Sequence, residues 1–241
     1  MYDKLKGVVL HTIKYSDKNS IVHIFTDKHG KMSFLLPQGS GKATRMRNSM
    51  FLPLSLIEFD TKISSGRNIF SLKEVRTLTP LSNIYCDPIK NAIGMFMTEL
   101  LSRVVQGGEE NDALFRYLFA TIQLLDKTDH GVSNFHICFL YNLGVFLGIQ
   151  PDTATYQDGY WFDMTNGVFT AAPSLLGDSL SPDEARTIMM LSRMSFSNLH
   201  IFEFNRNQRN QILDLMLRYF QLHNSTWGNL KSPDILKQLF E

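Results

Sequence analysis

The hydrophobic period of this chain changes once, at Pro80, and that change limits what it can fold into. Before Pro80, residues 5–15, 20–27, 31–37, 50–61 and 67–78 are rich in Val, Ile, Phe, Leu and Thr and largely alternate apolar with polar. That is the period of strands. The breaks have turn chemistry: Ser16-Asp17-Lys18-Asn19, Asp27-Lys28-His29-Gly30 and Ser64-Ser65-Gly66. Five short strands in under eighty residues cannot comfortably leave open edges, so a small closed barrel is expected. The longest connection, residues 38–48, is polar and basic. A five-stranded barrel with long basic loops is the general description of an OB-fold.

After Pro80 the period is helical. Asp87-Pro88 reads as an N-cap followed by proline at the first helical position. Ile89, Ile93, Phe96, Met97, Leu100, Leu101 and Val104 then share one side, and Gly107-Gly108 ends the helix. A second helix is expected over about 110–128. A third, over about 133–149, is apolar nearly all round, as suits the middle of a bundle. Residues 156–171 interrupt the helices with a β-hairpin signal, in which Asn166-Gly167 fits a two-residue turn. Ser181-Pro182-Asp183-Glu184 is a capping box opening another helix. A long helix over about 206–223 and a short one from Ser232-Pro233 complete the chain. The reading is an α+β protein: a barrel domain over 1–79 and a helical body with one inserted hairpin over 80–241.

Charge divides at the same place. Residues 1–79 hold 13 Lys and Arg against 6 Asp and Glu, a net of +7; the remainder holds 11 against 17, a net of −6, within a total of +1. A basic barrel suits a polyanion, and a merely solvated basic face is the plain alternative. No stretch has the apolar length of a membrane span, and the N-terminus lacks the apolar core of a signal peptide. Cys86 and Cys138 stand far apart and outside any CxxC, so neither a disulfide framework nor a cysteine-built zinc site is expected. A cytoplasmic protein fits.

Signs of catalysis are weak. Gly39-Ser40-Gly41-Lys42 suggests a phosphate loop, yet Leu36 and Ala43 stand where such a loop needs Gly and Ser or Thr, and no helix clearly follows. His136 and Cys138 are two residues apart on an expected helix and so face different ways. The acidic pairs Glu109-Glu110 and Asp183-Glu184 fall at expected helix starts, where the helix dipole accounts for them. No catalytic residue, cofactor or metal is expected. The basic residues carry more: Lys14, Lys18, Lys31, Lys42, Arg45, Arg47 and Arg67 are the expected backbone-binding set. Tyr15, Phe25, Phe34, Phe51, Phe59 and Phe70 are interleaved with them, and most should fill the barrel. On the acidic body, Arg206, Arg209, Arg218 and Lys231 form a minor basic set that would suit a partner's acidic tail.

The assembled pattern resembles the RecO family of DNA repair and recombination mediators. The resemblance rests on Gly7-Val8-Val9-Leu10 through Lys14-Tyr15-Ser16, Ser20-Ile21-Val22 through Phe25-Thr26, and His29-Gly30-Lys31. It returns at Leu217-Arg218-Tyr219-Phe220, His223, Leu230-Lys231-Ser232 and Leu236. It implies binding of single- and double-stranded DNA, strand annealing, partnership with RecR, contact with the acidic tail of single-stranded DNA-binding protein, and indirect help to RecA, in a nucleoid-associated protein. Many members carry a four-cysteine zinc module after the central helix. Residues 152–170 hold no cysteine here, and the hairpin stands in that place. An RNA-binding OB protein is the alternative that barrel and charge alone support equally.

Overall fold

The computed structural model describes residues 2–39, 41–108, 110–175, 177–224, 228 and 230–239, with the side chains of Ala43 and Arg45 also outside that description. The chain divides into two units, residues 1–127 and 128–241. Three helices beyond residue 79 therefore belong with the strands.

In the first unit, β1 (Asp3–Lys14), β2 (Asn19–Thr26), β3 (Gly30–Pro37), β4 (Leu56–Thr61), β5 (Ile69–Ser71) and β6 (Lys73–Thr79) form one sheet in the order β5-β3-β2-β1-β4-β6. The fifth expected strand is thus observed as two, divided at Leu72. One half runs parallel to β3, and the other runs antiparallel to β4. Since Leu72 alone joins the halves, both outer edges of the sheet meet through it and the sheet curls shut. The order fits an OB-fold. The irregularity is local: Glu74 has φ of 47°, which a non-glycine residue in a ladder rarely adopts.

Leu5, Val9, Val22, Ile24, Phe34, Ile57, Phe59 and Leu72 fill the barrel, with Phe34 and Phe59 edge to face at 5.0 Å. Burying such a ring contributes roughly 1.5–3 kcal/mol over leaving it in water. The register of β1 on β2 slips between Val9 and His11, a bulge at Leu10. Residues 50–61 are not one strand. Ser49–Phe51 is a short 3-10 helix, Leu54 turns the chain at φ of 66°, and β4 begins only at Leu56. The 38–48 connection also differs from expectation, because it contains a seven-residue helix, α1 (Lys42–Asn48).

Beyond the barrel come α2 (Ser82–Cys86), α3 (Pro88–Val104) and α4 (Asp112–Lys127). Asp87 caps α3 as expected, accepting from the amides of Ile89 at 2.8 Å and Lys90 at 3.1 Å. Buried Lys90 reaches the carbonyl of Asp126 at 2.8 Å, and the Asp126 carboxylate accepts from the amide of Ile84 at 2.9 Å, which ties α2 and α3 to α4. Phe25 packs outward on Phe115 of α4, with centroids 6.0 Å apart, rather than into the barrel. Gly107 pairs with Gly30, and a Cβ at Gly107 would lie 2.8 Å from the Lys31 carbonyl oxygen. Only glycine permits that approach.

In the second unit, α5 (Phe135–Phe146) is buried over most of its surface, as its all-round apolarity predicts. Buried Asn134 donates to the carbonyls of Leu199 at 3.0 Å and Phe202 at 2.6 Å. The hairpin is β7 (Trp161–Asp163) and β8 (Val168–Thr170), joined by β9 (Ser179–Leu180) into three strands. Its turn is not the expected two-residue kind. Asp163 pairs with Val168, leaving a four-residue loop in which Gly167 alone has a positive φ, 68°. The Asp163 carboxylate organises that loop by accepting from the amides of Thr165 at 2.9 Å and Asn166 at 3.1 Å, and from the Asn166 side chain at 2.8 Å. Burial opposes its charge, but these bonds hold its carboxyl below the ordinary value.

The capping box at Ser181 and Glu184 opens α6 (Pro182–Leu191) as expected. Helix α7 (Arg206–His223) carries Tyr219, which packs on Phe162 and donates to the Ile149 carbonyl at 2.8 Å. His223 meets the Met164 carbonyl at 2.8 Å, so α7 holds the hairpin at two points. The final helix, α8 (Ser232–Leu239), follows.

Candidate nucleic-acid interface

The β4 ladder on β1 ends at Val8, and Val9 still exchanges backbone bonds with Leu54 and Ser55; beyond Val9, β1 runs on in register with β2. The result is a two-stranded ribbon tipped by Lys14, Tyr15 and Lys18, all exposed. The ribbon is anchored at its base. Gln38 donates its amide to the Lys18 carbonyl at 2.8 Å, and the Asn48 side chain donates to Gln38 Oε1 at 3.3 Å. This chain of bonds joins the β1–β2 turn to the segment holding α1, so that Lys14, Lys18, Lys42 and Arg47 share one end of the barrel.

Among the described residues, Lys18, Lys42 and Arg47 have no ion-pair partner. Lys14 faces Asp17 at 3.1 Å, with both side chains largely in water, and a pair so placed yields readily to another anion. Arg45 lies in α1, with its side chain outside the described residues. Helix α1 does follow Gly39-Ser40-Gly41, although Ser40 lies outside the described residues. With only seven residues, and Ala43 after Lys42, it does not make the loop a nucleotide site.

Two of the expected seven lie elsewhere. Lys31 is half-buried and donates to the Ser102 carbonyl of α3 at 3.2 Å; burial lowers its pKa. It borders His11 and His23, whose rings lie 4.5 Å apart and bond Ser102 at 2.9 Å and Ser33 at 3.0 Å. Burial depresses both histidines, assisted for His11 by His23 and then Lys31, and for His23 by Lys31. Lys31 therefore braces α3 against the barrel. Arg67 is exposed, but Ile69 pairs with Ser33, which places Arg67 toward the Gly30 end of β3, away from the tip.

Other barrel cations are engaged internally. Lys4 and Arg76 both meet buried Glu58, Lys28 donates to the Lys4 carbonyl, and Lys73 sits over the Tyr2 ring. Burial works against the Glu58 charge, and the Lys4 bond followed by the Arg76 field holds its carboxyl below the ordinary value. The expectation that most of the phenylalanines fill the barrel agrees with Phe34, Phe51 and Phe59, which are buried in its core with Phe70 packed against them; Phe25 is buried on α4 instead.

The basic set of the second unit does not form one cluster. Arg206 donates twice to the Lys237 carbonyl at the end of α8, at 3.1 and 3.0 Å. Arg209 donates to the Phe204 carbonyl, and Arg218 pairs with Asp178 at 2.7 Å. Lys231 is exposed beside the start of α8, the opposite end from Lys237. Of the weak catalytic candidates, His136 and Cys138 are buried in α5. Burial, then the charge of Arg209, lowers His136 to about 3, and burial pushes the Cys138 thiol up to about 12. A thiol held protonated beside so weak a base is not an activated nucleophile. Glu109 lies outside the described residues. Among the described residues, no group of three or more His, Cys, Asp or Glu is placed to hold a metal, and no helix is long and apolar enough to cross a membrane.

A barrel of OB type, followed by helices, with cations at one end that have no ion-pair partner among the described residues, is an arrangement found among small proteins that bind nucleic acids. Comparison with known proteins narrows the class. The family described as Recombination protein O N terminal matches residues 1–81, and Recombination protein O C terminal matches residues 86–232. The DNA repair protein RecO of Phocaeicola vulgatus is 39% identical over 240 residues, covering all of both chains. That of Bacteroides fragilis is 38% identical over 242 residues, and that of Flavobacterium johnsoniae 30% over 241, again covering all of both chains. The chain belongs to the RecO family.

Proposed function

We propose that this protein is a non-enzymatic mediator of recombinational DNA repair. The barrel binds the backbone of single- and double-stranded DNA through Lys14, Lys18, Lys42 and Arg47 at its tip, with Arg45 on the same helix and Arg67 as an outlying contact. Bound cations screen the repulsion between two backbones, so complementary strands anneal. With RecR, the protein then helps RecA load on DNA coated by single-stranded DNA-binding protein. We place the docking of that protein's acidic tail on the second unit, where Arg218 and Lys231 remain exposed. The observation that carries the proposal is the group of cations at the barrel tip, of which Lys18, Lys42 and Arg47 have no ion-pair partner among the described residues and Lys14 only the exposed Asp17, in a chain of the RecO family.

Annealing of two complementary oligonucleotides, bare and then coated with the cognate single-stranded DNA-binding protein, tests it across a salt series. Acceleration that survives coating and fades with salt is expected, because neutralised phosphates release counterions. Acceleration of bare strands alone would remove the tail contact. No acceleration with either substrate, or strong preference for matched RNA in competition, would overturn the repair reading.

A further inference from the structure

The barrel tip carries more than charge. Tyr15 is 62% exposed, in the turn between Lys14 and Lys18, and its amide is fixed by the Asn19 carbonyl at 3.1 Å. Among the described residues no other ring lies against it. The other exposed tyrosine among the described residues, Tyr2, precedes β1 at the opposite end and has the Lys73 ammonium over its ring, 4.5 Å from the centroid. Two further apolar side chains are exposed in the same segments, Ile13 beside the turn and Met46 in α1, the latter at 71%. In a barrel that buries nearly all its phenylalanines, an uncovered ring flanked by cations needs a partner with a flat apolar face and a negative backbone.

We infer that Tyr15 is a base-stacking platform that makes the barrel tip prefer single strands. The inference rests on the proposed interface and names its preferred ligand. Duplex bases already stack on one another and turn only their edges outward, so this ring gains nothing from a duplex. An unpaired strand presents base faces at the same spacing as its phosphates. The cations hold the backbone, and Tyr15 takes one base without reading its identity.

The test uses the full chain and its Tyr15→Ala and Tyr15→Phe variants, with binding followed by fluorescence anisotropy at several salt concentrations. The probes are a single-stranded 15-mer, the blunt duplex of the same sequence, and a 15-mer with abasic sites in place of its central bases. Tyr15→Ala should weaken single-strand binding about 5- to 100-fold, leave the duplex within about twofold, and leave both salt slopes unchanged, since no charge is removed. Tyr15→Phe should bind the single strand as the parent does. On the abasic strand, Tyr15→Ala should have no further effect. Unchanged single-strand affinity, or equal losses on strand and duplex, overturns the inference while the charged interface stands. If reversing Lys42 and Arg47 also leaves every affinity and slope unchanged, the interface itself falls and takes the platform with it.

Discussion

At the barrel tip, Lys18, Lys42 and Arg47 meet no carboxylate among the described residues, whereas on α7 Arg206, Arg209 and Arg218 each meet an oxygen of their own chain. Both sets look alike as sequence. They differ in what the fold sets beside them. The tip is an overhanging ribbon with a short helix strapped to its base, where the one carboxylate seen to pair with a tip cation among the described residues is the exposed Asp17, on Lys14. Arg206 and Arg209 occupy the first turns of a packed helix, where the Lys237 and Phe204 carbonyls need donors. Position in the fold, more than charge, decides whether a cation is available to a ligand.

Reversing the tip should do the greatest damage. Lys42→Glu with Arg47→Glu should weaken binding to any DNA sequence about 10- to 100-fold near 0.1 M salt. The slope of affinity against salt should flatten by about 0.7 for each single-strand phosphate that is no longer neutralised. Thermal stability should not move. If affinity and slope survive, the tip is no different from α7.

Acid should act on the second unit instead. His136 is held neutral down to about 3, whereas an unfolded chain takes up that proton below about 6.5. Its contribution is complete above that pH and is lost as pH falls toward 3, at about 1.4 kcal/mol per pH unit. From pH 6.5 to 5 the loss is about 2 kcal/mol. Urea titrations at several pH values should show it, and His136→Leu should remove that part of the slope whatever its absolute stability. The depressed pKa values of His11 and His23 act in the same direction in the barrel unit.

A smaller effect is expected at Arg206. Changing it to Ala removes two charge-assisted bonds to the Lys237 carbonyl and should cost about 1–2 kcal/mol of stability, with DNA affinity unchanged. A loss of DNA binding without loss of stability would reverse the contrast between tip and helix. Smallest of all, Lys31→Gln should change DNA affinity less than about twofold, because the Lys31 ammonium already faces the Ser102 carbonyl. A loss matching that of Lys42 would place DNA against α3.

Much of this fold is legible in the sequence because local chemistry agrees with the final packing. Asp87-Pro88 and Ser181-Pro182-Asp183-Glu184 start helices where their side chains say they should. Alternation marks β1 to β3 to within two residues at either end. The misreadings occur where one side chain or one backbone angle overrides the pattern. The run over 67–78 alternates well enough to pass for a single strand, and the break emerges only with Leu72 turned into the core and Glu74 at positive φ. Asn166-Gly167 invites a two-residue turn, but Asp163 recruits the Thr165 and Asn166 amides and lengthens the loop.

The interface is half legible. The cations are plain in the sequence, but Lys31 and Lys18 are indistinguishable there, because only the packing of α3 engages one and leaves the other in water. Gln38, whose backbone and side chain join the two basic segments, carries no sequence signal at all.

Closure of the barrel through Leu72 has a consequence for synthesis. A nascent chain ending before Ile69 has β1 to β4 but neither half of the last strand, so β3 and β4 both offer bare edges; one ending at Leu72 can cover β3 and still leaves β4 open. Open edges recruit the strands of other chains. The ribosome has to deliver β6, through Thr79, before both edges are fully paired, and a fragment cut short of it keeps β4 open to strands from other chains.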